Sequence, residues 1–133
     1  MSEKPVFTYE YYQPGKVYGE QEFTVDEAVI AKWRTVYPED NEPDVMPAGM
    51  LAMIVIDAVL THNAPRPPGG VHGGQTWDLH RMPRIGETLL TEVSCLDKEE
   101  KKGRKWVRAA TTTRSKNRGD IVFTGVMTSL VAQ

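Results

Sequence analysis

The residues whose pattern suggests proton transfer are carboxylates in one loop and three histidines. The run Glu39-Asp40-Asn41-Glu42-Pro43-Asp44 offers carboxylates, of which Asp40 or Glu42 could serve as an acid or base if burial disfavoured its charged form. A solvated acidic loop is the plainer account, because carboxylates are usually exposed. Three histidines follow, His62, His72 and His80, and imidazole is the side chain whose ordinary pKa lies nearest neutrality. His72 sits within Gly69-Gly70-Val71-His72-Gly73-Gly74, where missing side chains let a ligand approach the backbone; a surface histidine is the alternative. His80 alternates with Asp78 and Thr76 along one strand face, while Gln75, Trp77 and Leu79 take the other. Asp78 and His80 could therefore form an orienting pair, or simply belong to an exposed polar face. His62 closes an apolar run, where a partly positive imidazole complements a helix carboxyl end, a structural role.

Asp57 interrupts the same apolar run, and a carboxylate there is costly unless it is hydrogen-bonded, paired or placed at an interface. Arg66, Arg81 and Arg84 could bind phosphate oxygens bidentately. Lys98, Lys101, Lys102, Arg104 and Lys105 form a denser cluster that reads as a solvated hairpin tip. Cys95 is the one cysteine, so no intrachain disulfide is possible, and its apolar neighbours Val93 and Leu96 favour a buried strand position over a reactive thiol.

The elements that must position these groups divide into helices followed by strands. Residues 7 to 15 form an irregular, tyrosine-rich lead-in closed by Pro14-Gly15, and Lys16 to Phe23 alternates as a first strand. Thr24-Val25-Asp26-Glu27 has capping-box spacing and opens an amphipathic helix through Val29, Ile30, Trp33 and Tyr37, stopped by Pro38. The segment from Met46 to Leu60 is apolar on nearly every face, so protein must wrap around it. After the Pro65-to-Gly70 loop come four strands, Val71–Arg81, Thr88–Leu96, Lys105–Arg114 and Ile121–Val131. Turns at Pro83 to Gly86, Asp97 to Gly103 and Lys116 to Gly119 make sequential hairpins the simplest connection. The Arg118-Gly119-Asp120 triplet is hairpin chemistry, not an adhesion signal. The expected class is α+β, one domain over residues 1–133, with a curved antiparallel sheet around a central apolar helix.

Composition removes several function classes. At 133 residues, one core can form without staples. A net charge of −2 leaves no electrostatic footprint for nucleic acid. Met1-Ser2-Glu3-Lys4-Pro5 lacks the pattern of a secretory signal, and no apolar run reaches the roughly 18 residues of a membrane helix. A cytoplasmic protein without a membrane partner is expected.

Four local patterns, in order, carry a resemblance to a known family: Pro14-Gly15 before the first strand, Ala48-Gly49-Met50-Leu51 opening the apolar helix, Arg81 through Leu89 between strands, and the Asn117-to-Gly119 turn. The chain resembles the MaoC-like dehydratases and hydratases of the hotdog fold. That resemblance implies addition or removal of water across the α,β bond of an acyl thioester. The acyl group is carried on coenzyme A or acyl carrier protein, with no metal or redox cofactor. It implies that the Gly49 amide, at a helix amino terminus, holds the thioester oxygen as negative charge develops there; a glycine that merely permits tight packing is the alternative. The family's catalytic loop reads Asp-x-Asn-Pro-x-His. Here Asp40 and Pro43 match, Glu42 replaces the asparagine, and Val45 stands where the histidine should be. His72, at the start of a strand that borders the thioester groove in the family, is the leading surrogate base, with His80 as a second candidate. Glu42, Met50, Trp77, Arg81 and Arg84 are the implied substrate contacts, the arginines toward the phosphates of coenzyme A. A homodimer, or a dimer of dimers or of trimers, is implied, and an open sheet edge formed by the last strands gives a physical reason for it. Two alternatives stay open: a hotdog thioesterase using Asp57 as its acidic residue, and a non-catalytic subunit whose groove holds an acyl ligand.

Overall fold

Met50, Leu51, Ile54, Val55, Ala58 and Val59 recur at helical spacing, and a computed structural model describing residues 5–132 buries all six on one face of a helix. The residues behind the targeting expectation, Met1 to Lys4, lie outside the described part. The elements in order are β1 (Val17–Thr24), α1 (Glu27–Val36), α2 (Met50–His62), β2 (Val71–Leu79), β3 (Thr88–Lys101), β4 (Arg104–Ser115) and β5 (Ile121–Val131). The strands form one curved antiparallel sheet in the order β1-β3-β4-β5-β2. Its inner face presents Leu89, Val93, Ala109, Phe123 and Met127 to α2.

Five details differ from expectation, each for a local reason. The first helix is capped by Asp26, whose carboxylate accepts from the Val29 amide at 2.8 Å, while Thr24 stays in β1 and pairs with Thr88. α2 starts at Met50 instead of Met46, because the Met46 amide is tied to the Pro83 carbonyl and the Pro47 and Ala48 carbonyls close a tight turn first. The sheet covers one face of α2 only. Met53, Ile56 and Leu60 are 39, 36 and 49% exposed on the other, beside Asp57. β2 is not a hairpin partner of β3 but lies across the sheet against β5, so the open edges belong to β1 and β2 and not to the last strands. Finally, a bulge at Cys95/Asp97 lets the β3–β4 ladder run on to Lys101 opposite Arg104, leaving only Lys102 and Gly103 to turn the chain. Both have positive φ, 53° and 72°, the signature of a two-residue hairpin turn.

A second cluster, Phe7, Tyr12, Cys95 and Val107, packs the lead-in segment over the far end of the sheet. Cys95 is buried there, and burial pushes its thiol up, as suits a core position.

Arg81 fastens the crossing connection between β2 and β3. Its guanidinium donates to both Glu87 oxygens at 2.8 and 3.0 Å and to both Asp120 oxygens at 2.8 and 3.0 Å. Glu87 is buried and also accepts from the Arg84 amide at 2.6 Å and the Ser115 hydroxyl at 3.3 Å. Arg81 foremost, and then the Arg84 amide, hold the Glu87 carboxyl below the usual carboxylate range. Its folded pKa is depressed, so the stabilisation is full above the ordinary glutamate pKa and is lost as pH falls through the folded value. Arg81→Ala should cost about 3–5 kcal/mol in urea unfolding, since it strands a buried carboxylate. Glu87→Gln should flatten the loss of stability below roughly pH 4.3; an unchanged pH profile in that variant would contradict the assignment.

Candidate active site

The candidate groups separate to the two ends of α2. Thirteen residues at 1.5 Å each place those ends about 20 Å apart.

At the amino end, α1 and the acidic loop are bound together. The Trp33 indole N–H donates to Asp40 Oδ2 at 2.8 Å, and Arg34 donates to the Asp40 and Glu42 carbonyls at 2.8 and 2.7 Å. Glu42 itself points to solvent. The Trp33 ring then lies against Gly49: a Cβ there would meet its Cζ2 at 2.6 Å. Gly49 caps α2 without a side-chain bond and its surface is exposed, so the dipole end of the helix is open beside the Trp33 ring. Val45 is half-buried and bridges to Arg84 in a short antiparallel pair. Among the described residues no imidazole hydrogen-bonds Asp40 or the Glu42 side chain. Met50 is wholly buried in the core, a packing residue without access to a ligand.

At the carboxyl end lies a cavity of about 590 Å³, within the range that holds small-molecule ligands. Val59, Val107, Ala109 and Met127 give it apolar walls, and Tyr12 and Asn63 a polar corner. Burial pushes the Tyr12 hydroxyl up to about 12, so it stays protonated, and its oxygen accepts from the Asn63 side-chain amide. Asn63 is 1% exposed, and its Oδ1 has no partner among the described residues. Arg66 and His72 stand at the rim, both exposed. His72 Nε2 is 3.0 Å from the Gly74 carbonyl; a carbonyl only accepts, so Nε2 carries the hydrogen and Nδ1 is free to take a proton.

The remaining candidates are spread out. His80 is exposed 3.6 Å from Asp78, on the outer face of the sheet, away from the cavity. Trp77 lies on the inner face, 38% exposed, edge-on to Phe123. Arg81 is placed otherwise than expected, with its donors taken up by Glu87 and Asp120, whereas Arg84 is exposed and without a side-chain partner among the described residues. Asp57 accepts from Gln21 Nε2 at 3.4 Å, and the Gln21 carbonyl oxygen lies 3.0 Å from His62 Nε2. His62 packs over Gly19, consistent with a structural role. Among the described residues no three His, Cys, Asp or Glu side chains converge as a metal site. No helix there is long and apolar enough to cross a membrane.

No protein-family model matches the chain, and no curated protein does either. Solved structures do. The (R)-hydratase PhaJ1 of Pseudomonas aeruginosa aligns over 96% of this chain and 86% of its own, at 22% identity and a TM-score of 0.74. A MaoC-like dehydratase of Rhodospirillum rubrum aligns over 95% and 97%, at 19% identity and 0.78. An (R)-hydratase of A. caviae involved in PHA biosynthesis aligns over 92% and 99%, at 15% identity and 0.71. The chain has the hotdog fold. Within that fold α2 is the central helix, and in structure the chain resembles MaoC-like dehydratases and (R)-hydratases.

Sequence reasoning missed Tyr12 and Asn63. Tyr12 lies in an irregular segment whose packing is long-range, and Asn63, the helix C-cap, shows no sign in the sequence of being buried. The Trp33–Gly49 contact carries its own prediction. Gly49→Ala should destabilise the hotdog by about 1–3 kcal/mol through overpacking, and Trp33→Leu should recover part of that loss in a double-mutant cycle. Additive effects of the two changes in thermal unfolding would show that the ring is not what fills the Cβ position.

Proposed function

We propose that this chain is an acyl-thioester hydratase or dehydratase of the hotdog type that takes the acyl chain into the cavity at the carboxyl end of α2. One observation carries the reading: an apolar cavity of about 590 Å³ has an imidazole at its rim with a nitrogen free to accept a proton. Adding water across an enoyl bond requires a base to take a proton from water and an acid to deliver one to the α-carbon. His72 supplies the first through Nδ1 and, once protonated, is placed to supply the second. The helix-end amides near Gly49 are about 20 Å away along the same chain. The oxyanion contact implied for Gly49 therefore needs a second copy, whose α2 would bring its own amino end to this cavity. The exposed edge of β2 and the open face of α2 at Met53, Ile56 and Leu60 support such a homodimer. The substrate carries its own coenzyme A or acyl carrier protein, and no further cofactor is invoked.

A second reading has an observation in its favour. Val45 is pinned to Arg84 and Asp40 to Trp33, so the loop that would carry the acid and base is held by structural contacts. A non-catalytic subunit that holds an acyl thioester fits that arrangement. Incubation with enoyl- and saturated acyl-CoAs separates the readings. Loss of enoyl absorbance without thiol release supports hydration. Thiol release from saturated chains supports hydrolysis through Asp57, and binding without turnover supports the non-catalytic subunit. On the first reading, His72→Gln lowers kcat by about 10²- to 10⁴-fold while thermal stability stays within about 0.5 kcal/mol, the side chain being exposed. Full activity in that variant would remove His72 from the mechanism.

A further inference from the structure

Behind the cavity, on the outer face of the sheet, lies a second concave surface with a different chemistry. A groove of about 540 Å³ is lined by Lys101, Lys102, Arg104, Trp106, Thr128 and Leu130. Three of these are cations with no carboxylate partner among the described residues. Glu99 and Arg108 also line the groove; Arg108 reaches Asp97 at 2.6 Å and Glu99 at 3.5 Å, which leaves one negative charge of that group against the three unpaired cations. The groove therefore has an excess positive charge in a chain whose net charge is −2. Such a surface recruits anions.

Two features make this more than a solvated hairpin tip. The cations are not on a floppy loop. Lys101 and Arg104 are the last paired residues of the β3–β4 ladder, and Lys102 and Gly103 turn the chain in two residues, with Lys102 held at φ 53°, a conformation side chains rarely adopt. Beside them Trp106 presents a half-exposed indole at the groove. A Cβ on Gly73 would meet the Trp106 ring at 3.1 Å, so the glycine in β2 lets the indole pack directly against the strand. An aromatic face flanked by three unpaired cations can stack a base and hold phosphates.

The groove also adjoins the cavity. Leu130 lines both, and it pairs with Trp106 on one side and with Val71 on the other. The glycine-rich start of β2, Gly69 to Gly74, separates the cavity rim from the groove. A thioester arm leaving the cavity past His72 would cross backbone without bulky side chains before reaching Trp106.

We propose that this groove binds the adenosine 3′,5′-bisphosphate end of a coenzyme A thioester, with adenine on Trp106 and phosphates on Lys101, Lys102 and Arg104. The inference rests on the acyl-thioester reading above and assigns its carrier. It also moves carrier recognition from Arg81, which is spent within the protein, to the hairpin. An acidic carrier protein is the competing occupant.

The probe is adenosine 3′,5′-bisphosphate itself, titrated into the intact chain and followed by Trp106 fluorescence and by backbone amide shifts. It should perturb residues 101–108 and 128–130 and bind at least tenfold tighter than adenosine. Lys101→Gln/Lys102→Gln/Arg104→Gln should weaken it at least thirtyfold, and raising salt should weaken binding to the wild type more than to this variant. Trp106→Leu should weaken it about tenfold or more. Should Trp106→Leu fail to fold, the triple variant, whose changes are all on the surface, carries the test. Shifts elsewhere, or an undiminished affinity in the triple variant, overturn the proposal. So does a triple variant that loses only an acyl carrier protein. A parallel titration with an acyl N-acetylcysteamine thioester, which has no nucleotide, reads the cavity alone. Cavity shifts with a groove silent to the nucleotide overturn this inference and leave the thioester reading standing. Nucleotide binding in the groove with an unresponsive cavity supports the groove and overturns the thioester reading.

Discussion

Burial of one stripe of α2 against the inner face of the sheet is the contact on which everything else in the molecule depends. Six side chains at helical spacing leave water together, each contributing about 1.5–3 kcal/mol except the smaller Ala58. That packing excludes polar groups from the buried face of the helix, and Asp57 lies on the opposite, exposed face. The packing also leaves the opposite stripe, Met53, Ile56 and Leu60, facing outward, so the same helix that builds the core leaves an apolar surface unfilled. The Arg81 clip complements the packing by holding the connection that carries the chain from one sheet edge to the interior.

The two ends of α2 have opposite characters. At the amino end three groups are committed to structure: Asp40 to the Trp33 indole, Gly49 against the same ring, Val45 to the Arg84 backbone. At the carboxyl end the lead-in segment, the β2 start and the inner strands stand apart enough to leave a cavity with unspent polar groups, Asn63 Oδ1 and His72 Nδ1. The loop around Val45 is thus held by structural contacts, while the cavity lies at the other end of the helix.

Much of the fold was legible because its determinants are local. The apolar helix and the strand alternation in residues 71–79 that sets Trp77 against Asp78 follow from period. The pairing of β2 with β5 was not legible, since it depends on a crossing loop held by Arg81, Glu87 and Asp120, residues whose partners are distant in sequence. For the same reason Arg81 read as a phosphate contact. The helix looked wholly wrapped because composition reports hydrophobicity, not which face the sheet reaches. In the site, the sequence pointed to His72 by its glycines, yet gave no sign that Tyr12 and Asn63 meet it across one cavity. Gly49 was open to two accounts from sequence, ligand approach or packing, and the Trp33 ring supplies a concrete packing reason for it.

The central claim is that the acyl chain lies at the carboxyl end of α2, with His72 at the reacting carbons. A crystal structure with a non-hydrolysable thioether analogue of an acyl-CoA tests this most directly. The account predicts alkyl density between Val59 and Met127 and the β-carbon within one water of His72 Nδ1. An acyl chain running along Trp33 and the Gly49 amide of the same chain, with the cavity empty, would contradict it.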